Sequence, residues 1–132
     1  MAVSIRGGGL VAPAIRHADQ KPIRQVMAEL RDLVARAREL NLRSSEVSDP
    51  TITVSSLGDR GVDAVFGIIY PPQVALVGFG RISERAWSEG GRLASRPIVT
   101  VSLSGDHRVS DGQQGGLFLA QVGQLLNEPS SL

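Results

Sequence analysis

Pro97-Ile98-Val99-Thr100-Val101-Ser102-Leu103-Ser104 runs through Gly105 into Asp106-His107-Arg108-Val109-Ser110-Asp111-Gly112, and the reading of this stretch decides the fold. Val99, Val101 and Leu103 alternate with Thr100, Ser102 and Ser104, the period of a half-buried strand. Beyond the charged turn, Leu117, Phe118, Val122, Leu125 and Leu126 recur at helical spacing. The turn holds His107, one of only two histidines in the chain. A residue there is fixed by a rigid element on each side and still reaches solvent or a cleft, which is where a fold tends to present a catalytic base.

Working outward, Gln73 to Gly80 is a strongly apolar strand, set off by Pro71-Pro72, and Thr51 to Leu57 is a strand of β-branched residues stopped by Gly58 and Gly61. Ser83 to Arg96 is polar and glycine-containing and reads as a hairpin excursion. Asn41 to Asp49 is a polar loop in which Ser45-Glu46-Val47 can start a turn of helix. From Pro22 the pattern is helical: Ile23, Val26, Met27, Leu30, Leu33, Val34 and Ala37 form one apolar stripe, and Pro22 suits a helix start. The arginines of this segment mostly occupy the other face, as expected of a solvated helix side. Val3 to Ile5 and Leu10 to Ile15 are short strands, with Pro13 marking an edge or bulge. Gly7-Gly8-Gly9 between them is a turn, because it lacks the pattern of a phosphate-binding loop. The order predicts an α/β (α+β) sandwich, a mixed β-sheet covered by two helices.

With 132 residues, 42% of them hydrophobic, the chain has the size and composition of one domain with its own core. A net charge of +1 and five aromatic residues give neither the field nor the stacking platforms of a nucleic-acid binder. No apolar run approaches a membrane span, and Met1 to Arg6 lacks the pattern of a signal peptide, so a cytoplasmic protein is expected. The absence of cysteine excludes disulfides, thiolate metal ligands and a cysteine nucleophile. His17 and His107 stand far apart without metal-ligand spacing, so no metal site is expected.

A neutral imidazole can take a proton near physiological pH, so His107 is a candidate general base. Asp106 and Asp111 flank it, and either can hold the ring or pair with Arg108. The alternative is an Asp–Arg ion pair beside an incidental surface histidine. Ser55, in the strand from Thr51, either bonds locally, as strand serines usually do, or has a chemical task. His17 reads as a loop residue.

Asp106-His107-Arg108-Val109-Ser110-Asp111-Gly112 resembles the DHRxxDG active-site motif of the catalytic domain of dihydrolipoyl acyltransferases, the core component of 2-oxoacid dehydrogenase complexes. Three more segments agree in the family's order. Gly9 to Asp19 looks like its GLVVPVVRNAD stretch, Thr51 to Gly58 like its FTISNLG strand, and Ile68 to Ala75 like its IINPPQ-A segment. Tyr70 and Ser56 depart from the usual asparagines. The resemblance implies a chloramphenicol acetyltransferase-like fold that assembles as a trimer with active sites between subunits. It makes His107 the base that takes the thiol proton of coenzyme A or dihydrolipoamide. It makes Ser55 the donor to the tetrahedral oxyanion, a contact typically worth about 3 to 4 kcal/mol of barrier. Asp111 falls on the motif's second acidic position, and Asp106, Arg108 and Gly112 complete the motif.

The chain begins where the family domain is already under way, so a single partial acyltransferase domain over residues 1–132, lacking the N-terminal part, is expected. No lipoyl domain is expected, since the sole lysine, Lys21, lacks the context of a lipoylated hairpin, and no subunit-binding domain either. These features together predict a coenzyme A-dependent acyltransferase using acyl-CoA. Its acceptor is dihydrolipoamide or a small molecule acylated on O or N. The expected partners are other copies in a trimer-based homo-oligomer, or a companion chain supplying the missing elements, with no nucleic acid or membrane. The competing expectation is a non-catalytic scaffold subunit or a fragment of an acyltransferase core.

Overall fold

The computed structural model describes residues 1–5, 7–48 and 50–131. In chain order the elements are β1 (Val3–Ser4), β2 (Leu10–Val11), α1 (Ile23–Arg38), α2 (Ser44–Val47), β3 (Ile52–Ser56), β4 (Ala75–Phe79), β5 (Ser83–Glu89), β6 (Arg92–Ile98), β7 (Val101–Gly105) and α3 (Gly112–Asn127). The central sheet has the order β3-β4-β7. β3 runs parallel to β4, with Ser55 opposite Gly78, and β7 runs antiparallel to β4, with Ser102 opposite Gly78 and Gly105 opposite Ala75. This is the mixed sheet with helices that the sequence predicts. β1 and β2 pair antiparallel beside it, as do β5 and β6.

The side-chain period of two sorts the sheet into faces. Val54 and Val77 point to the face that α1 and α3 occupy. On α1, Leu33 and Ala37 are buried while Ile23 and Met27, at the other end of the stripe, are exposed. α2 docks beside α1 through Arg36, whose two terminal nitrogens each lie 2.6 Å from a carboxylate oxygen of Glu46. Glu46 also accepts from the Arg43 backbone N–H at 2.8 Å.

The opposite face carries Thr53, Leu76, Gly78, Ser102 and Ser104, and an extended stretch from Asp63 to Gly67 lies across it. The Ser102 hydroxyl donates to the Val65 carbonyl, and the Ser104 hydroxyl donates to the Gly67 carbonyl at 2.6 Å. That close passage explains two glycines in β4 and just beyond it. A Cβ on Gly78 would run into the Val65 carbonyl, and one on Gly80 into the Asp63 carbonyl. Ser102 and Ser104, which alternate with apolar neighbours as if facing water, are therefore half-buried and hydrogen-bonded to protein.

Three expectations are corrected. The strand from Pro97 to Ser104 is split, because Val99-Thr100 forms the corner where the chain leaves the β5–β6 ribbon for the central sheet, with the Thr100 carbonyl accepting from Gly80 N–H at 3.0 Å. The strand from Leu10 ends at Val11, before the fully buried Pro13, whose ring offers no N–H to a ladder. α3 turns a different side to the sheet than the leucine stripe suggests. Leu117 is 65% exposed, whereas Leu119, Val122 and Leu125 are half-buried, and Gly115 sits against Leu103. Within Asn41 to Asp49 the turn of helix that Ser45-Glu46-Val47 could start is present as α2, and Asp49 itself lies outside the described residues. Ser83 to Arg96 is the hairpin expected, turned at Gly90-Gly91 with φ values of 56° and 77° that suit glycine. Among the described residues, no helix is long and apolar enough to cross a membrane.

Candidate active site

β7 ends at Gly105 and α3 begins at Gly112, so the DHRVSDG stretch is the turn between them. Its start is tied to the sheet by Asp106 N–H, which donates to the Val74 carbonyl at 2.8 Å. The Asp106 carbonyl accepts from Val109 N–H at 2.9 Å and Ser110 N–H at 3.1 Å, which closes the turn over His107. Arg108 donates to Asp106 through both guanidinium and backbone. Its Nε lies 3.0 Å from Oδ1, its Nη2 2.7 Å from Oδ2, and its backbone N–H donates to Oδ1 at 3.0 Å. The Arg108 side-chain bonds, followed by its backbone N–H, hold the Asp106 carboxyl down at about 2. The same pairing raises the Arg108 guanidinium above its ordinary value.

Asp111 does different work. It is the N-cap of α3, and its side chain accepts from Gln114 N–H at 2.9 Å, satisfying one of the helix's unpaired amides. The two acidic neighbours of His107 thus divide the roles that spacing leaves open: Asp106 binds Arg108 and Asp111 caps the helix. Gly112 is the first helical residue.

His107 is exposed at the rim of a cavity of about 360 Å³, lined also by Leu103, Ser110, Gly115, Gly116 and Leu119. Among the described residues, neither ring nitrogen has a hydrogen-bond partner. An imidazole so placed is open to an incoming thiol or hydroxyl. The glycines of α3 that make room beside it escaped the sequence reading. A Gly-Gly pair inside an apolar helix is the signal that marks such a hollow.

Ser55 is half-buried near the end of β3 and lines another cavity, of about 450 Å³, with Val34, Arg38, Asp59 and Arg60. Among the described residues its hydroxyl has no hydrogen-bond partner, unlike those of Ser102 and Ser104. The strand register keeps it away from His107. Ser55 is level with Ser102, two strands over and five positions before His107. At ~3.3 Å per residue and ~4.8 Å between strands, the separation is on the order of 15 Å or more. One chain does not bring these two side chains together.

His17 starts a short 3₁₀ turn at Ala18–Gln20 with φ 52° and is exposed. Its side chain borders an apolar hollow of about 540 Å³ between α1 and β3. Tyr70 is 78% exposed.

The chain matches the family model for the catalytic domain of 2-oxoacid dehydrogenase acyltransferases over residues 1–132. It belongs to that family. It is 36% identical over 124 residues to the dihydrolipoyllysine-residue acetyltransferase component of the pyruvate dehydrogenase complex of Staphylococcus aureus strain Mu50, a match that covers 94% of this chain and 29% of that protein. The structure is similar to Azotobacter vinelandii dihydrolipoamide acetyltransferase, with a TM-score of 0.85 and 36% identity over 95% of this chain and 51% of that one. In that protein a serine, a histidine and an asparagine have been investigated for their role in the catalytic mechanism. The cubic core of a pyruvate dehydrogenase multienzyme complex matches with a TM-score of 0.85 and 35% identity, over 95% of this chain and 51% of that one. The chain therefore has the fold of these acyltransferase catalytic cores and spans about half the length of the solved ones. No comparison favours a scaffold or a small-molecule acyltransferase.

Proposed function

We propose that the chain carries the acid–base half of a coenzyme A-dependent dihydrolipoamide acyltransferase site, completed by a neighbouring copy. His107 takes the proton from the thiol of coenzyme A or of dihydrolipoamide. The thiolate attacks the thioester carbonyl carbon of the acylated partner, and the carbonyl electrons move to oxygen. Ser55 of the neighbouring copy donates a hydrogen bond to that oxyanion. As the tetrahedral intermediate collapses, the C–S bond to the leaving thiolate breaks and the imidazolium returns the proton to that sulfur.

The observation that carries this reading is the pair of unengaged groups, the His107 ring and the Ser55 hydroxyl, in a family catalytic fold where each residue borders a cavity. Their separation within one chain favours a site shared between copies. A further support is spacing. The serine, histidine and asparagine investigated in the Azotobacter protein are separated by the same 52 and 4 residues as Ser55, His107 and Asp111 here. The acceptor follows from the dihydrolipoyl relatives, and other copies are the expected partners because a related chain forms a cubic core.

The test is acyl transfer from acetyl-CoA to dihydrolipoamide. His107→Ala should abolish turnover, and Ser55→Ala should lower it roughly 100- to 1,000-fold. Unfolding the two inactive variants together and refolding them should restore about a quarter of native turnover, the statistical share of interfaces that keep both groups. A loss below about threefold in Ser55→Ala removes Ser55 from the mechanism, and no recovery on mixing removes the shared site.

A further inference from the structure

We propose that the hollow bordered by His107 receives the alkyl part of the transferred acyl group, and that Gly116 sets how long that group can be. The inference rests on the reading of His107 as the base and names the acyl class of that same site, short apolar acyl groups larger than acetyl.

The hollow is made by the start of α3. Gly115, Gly116 and Leu119 follow Gly112 at the three-, four- and seven-residue spacings that share one side of a helix, and all four line the cavity of about 360 Å³. β7 contributes Leu103 and Gly105 to its lining, and the turn between the two elements contributes His107, Ser110 and Asp111. The three glycines differ in what a side chain would meet. A Cβ on Gly115 would lie 3.2 Å from Leu103 Cδ2, so that glycine lets the helix approach the strand. A Cβ on Gly112 or on Gly116 would meet no atom within 4 Å. Packing therefore does not ask for glycine at position 116, and glycine is a poorer helix residue than alanine. What the absent side chain provides there is room.

The chemistry of the lining fits an alkyl chain. Leu103, Leu119 and the glycines make it largely apolar, and Asp111, one of its few polar residues, is engaged with Gln114 N–H at the helix cap. The thiol sulfur that gives its proton to His107 becomes bonded to the acyl carbon in the tetrahedral intermediate, and the alkyl group is attached to that carbon. The nearest shelter from water for that group is the hollow that His107 borders. An acetyl methyl is about the size of one water, roughly 30 Å³, and leaves most of the 360 Å³ unfilled. A longer chain buries more apolar surface, which strengthens binding about fourfold for each methylene removed from water.

The test compares kcat/KM for transfer to dihydrolipoamide from acetyl-CoA and from butyryl-CoA in the native chain, Gly116→Ala, Gly116→Leu and a control, Gly123→Leu. Gly123 lies on α3 outside the cavity lining, and a Cβ there also meets no atom within 4 Å. In the native chain butyryl-CoA should exceed acetyl-CoA about 10- to 15-fold, and Gly116→Leu should bring that ratio below about threefold. Gly116→Ala should lower the ratio part of the way, which decides the matter if the leucine variant transfers neither group, and Gly123→Leu should keep it. Circular dichroism and light scattering on the same samples read the fold and the oligomeric state. Equal transfer of the two groups by the native chain, or a ratio unchanged in both Gly116 variants, overturns the proposal and leaves the proposed function standing. An unchanged ratio together with a smaller oligomer also overturns it, and assigns the hollow to a neighbouring copy. If the native chain transfers neither group, the proposed function falls and this inference with it.

Discussion

Asp111 serves structure from a position close to the proposed base. Its carboxylate holds the Gln114 amide at the start of α3, four residues after the proposed base. Removing the cap with Asp111→Ala should cost about 1 kcal/mol and lower the melting temperature by about 3–6 °C in a domain of this size. Asparagine caps as well as aspartate, so Asp111→Asn should melt within about 1–2 °C of the native protein. Circular dichroism melts of the three proteins decide it, and equal melting of the alanine and native forms would deny the cap a stabilising role. His107 was legible in the sequence as the exposed residue of a strand-to-helix turn, because two periodic patterns meet around it. Which acid pairs with Arg108 was not. Asp106 and Asp111 both lie within reach by spacing, and the backbone bonds that fold the turn back from Ser110 to the Asp106 carbonyl choose between them.

Elements in this fold are joined by charge as well as by apolar contact. α2 is a single turn of helix with no buried residue, and Glu46 fastens it to α1 through Arg36. Hydrogen bonds from Arg36, followed by the Arg43 backbone N–H, hold the Glu46 carboxyl down at about 2, against an ordinary value of 4.5. A carboxylate depressed on folding stabilises the protein above its unfolded value and loses that contribution as pH falls through its folded value. The native protein should therefore out-melt Glu46→Gln by a constant margin above pH 4.5, and the margin should close between pH 4.5 and about 2. Thermal melts of both proteins across that range measure it, and a pH-independent margin would assign the pairing no share in acid stability. The corner at Val99-Thr100 was hidden for a related reason. Alternation continues through a bend when both sides stay half-buried, so period alone does not reveal where a chain changes sheets. Likewise Gly115 with Leu119, not Leu117, marks the side of α3 that meets Leu103.

At the scale of the molecule, surface is the decisive quantity. The chain exposes 9569 Å², whereas a compact monomer of 14.0 kDa is expected to expose about 6,700 Å². The excess, on the order of 3,000 Å², falls within the range that stable subunit interfaces bury. It is not spread evenly. Phe66, Ile68 and Tyr70 alternate along the segment that crosses the sheet and are 80%, 90% and 78% exposed, forming an apolar ridge of the kind that marks a protein contact. The motifs that give the family were legible in order along the sequence, but this ridge was not, because alternation on a segment without strand pairing looks like irregular chain. Self-association through such surface is what the proposed sharing of Ser55 and His107 between copies requires. Light scattering after size exclusion should find the native chain as an oligomer. Ile68→Glu should shift it toward smaller species with the far-ultraviolet circular dichroism unchanged, since a side chain so exposed contributes little to its own chain's core. If each site needs two copies, as proposed, acyl transfer should fall in proportion to the oligomer lost. A folded native monomer that transfers acyl groups at full rate would refute both the association and the shared site.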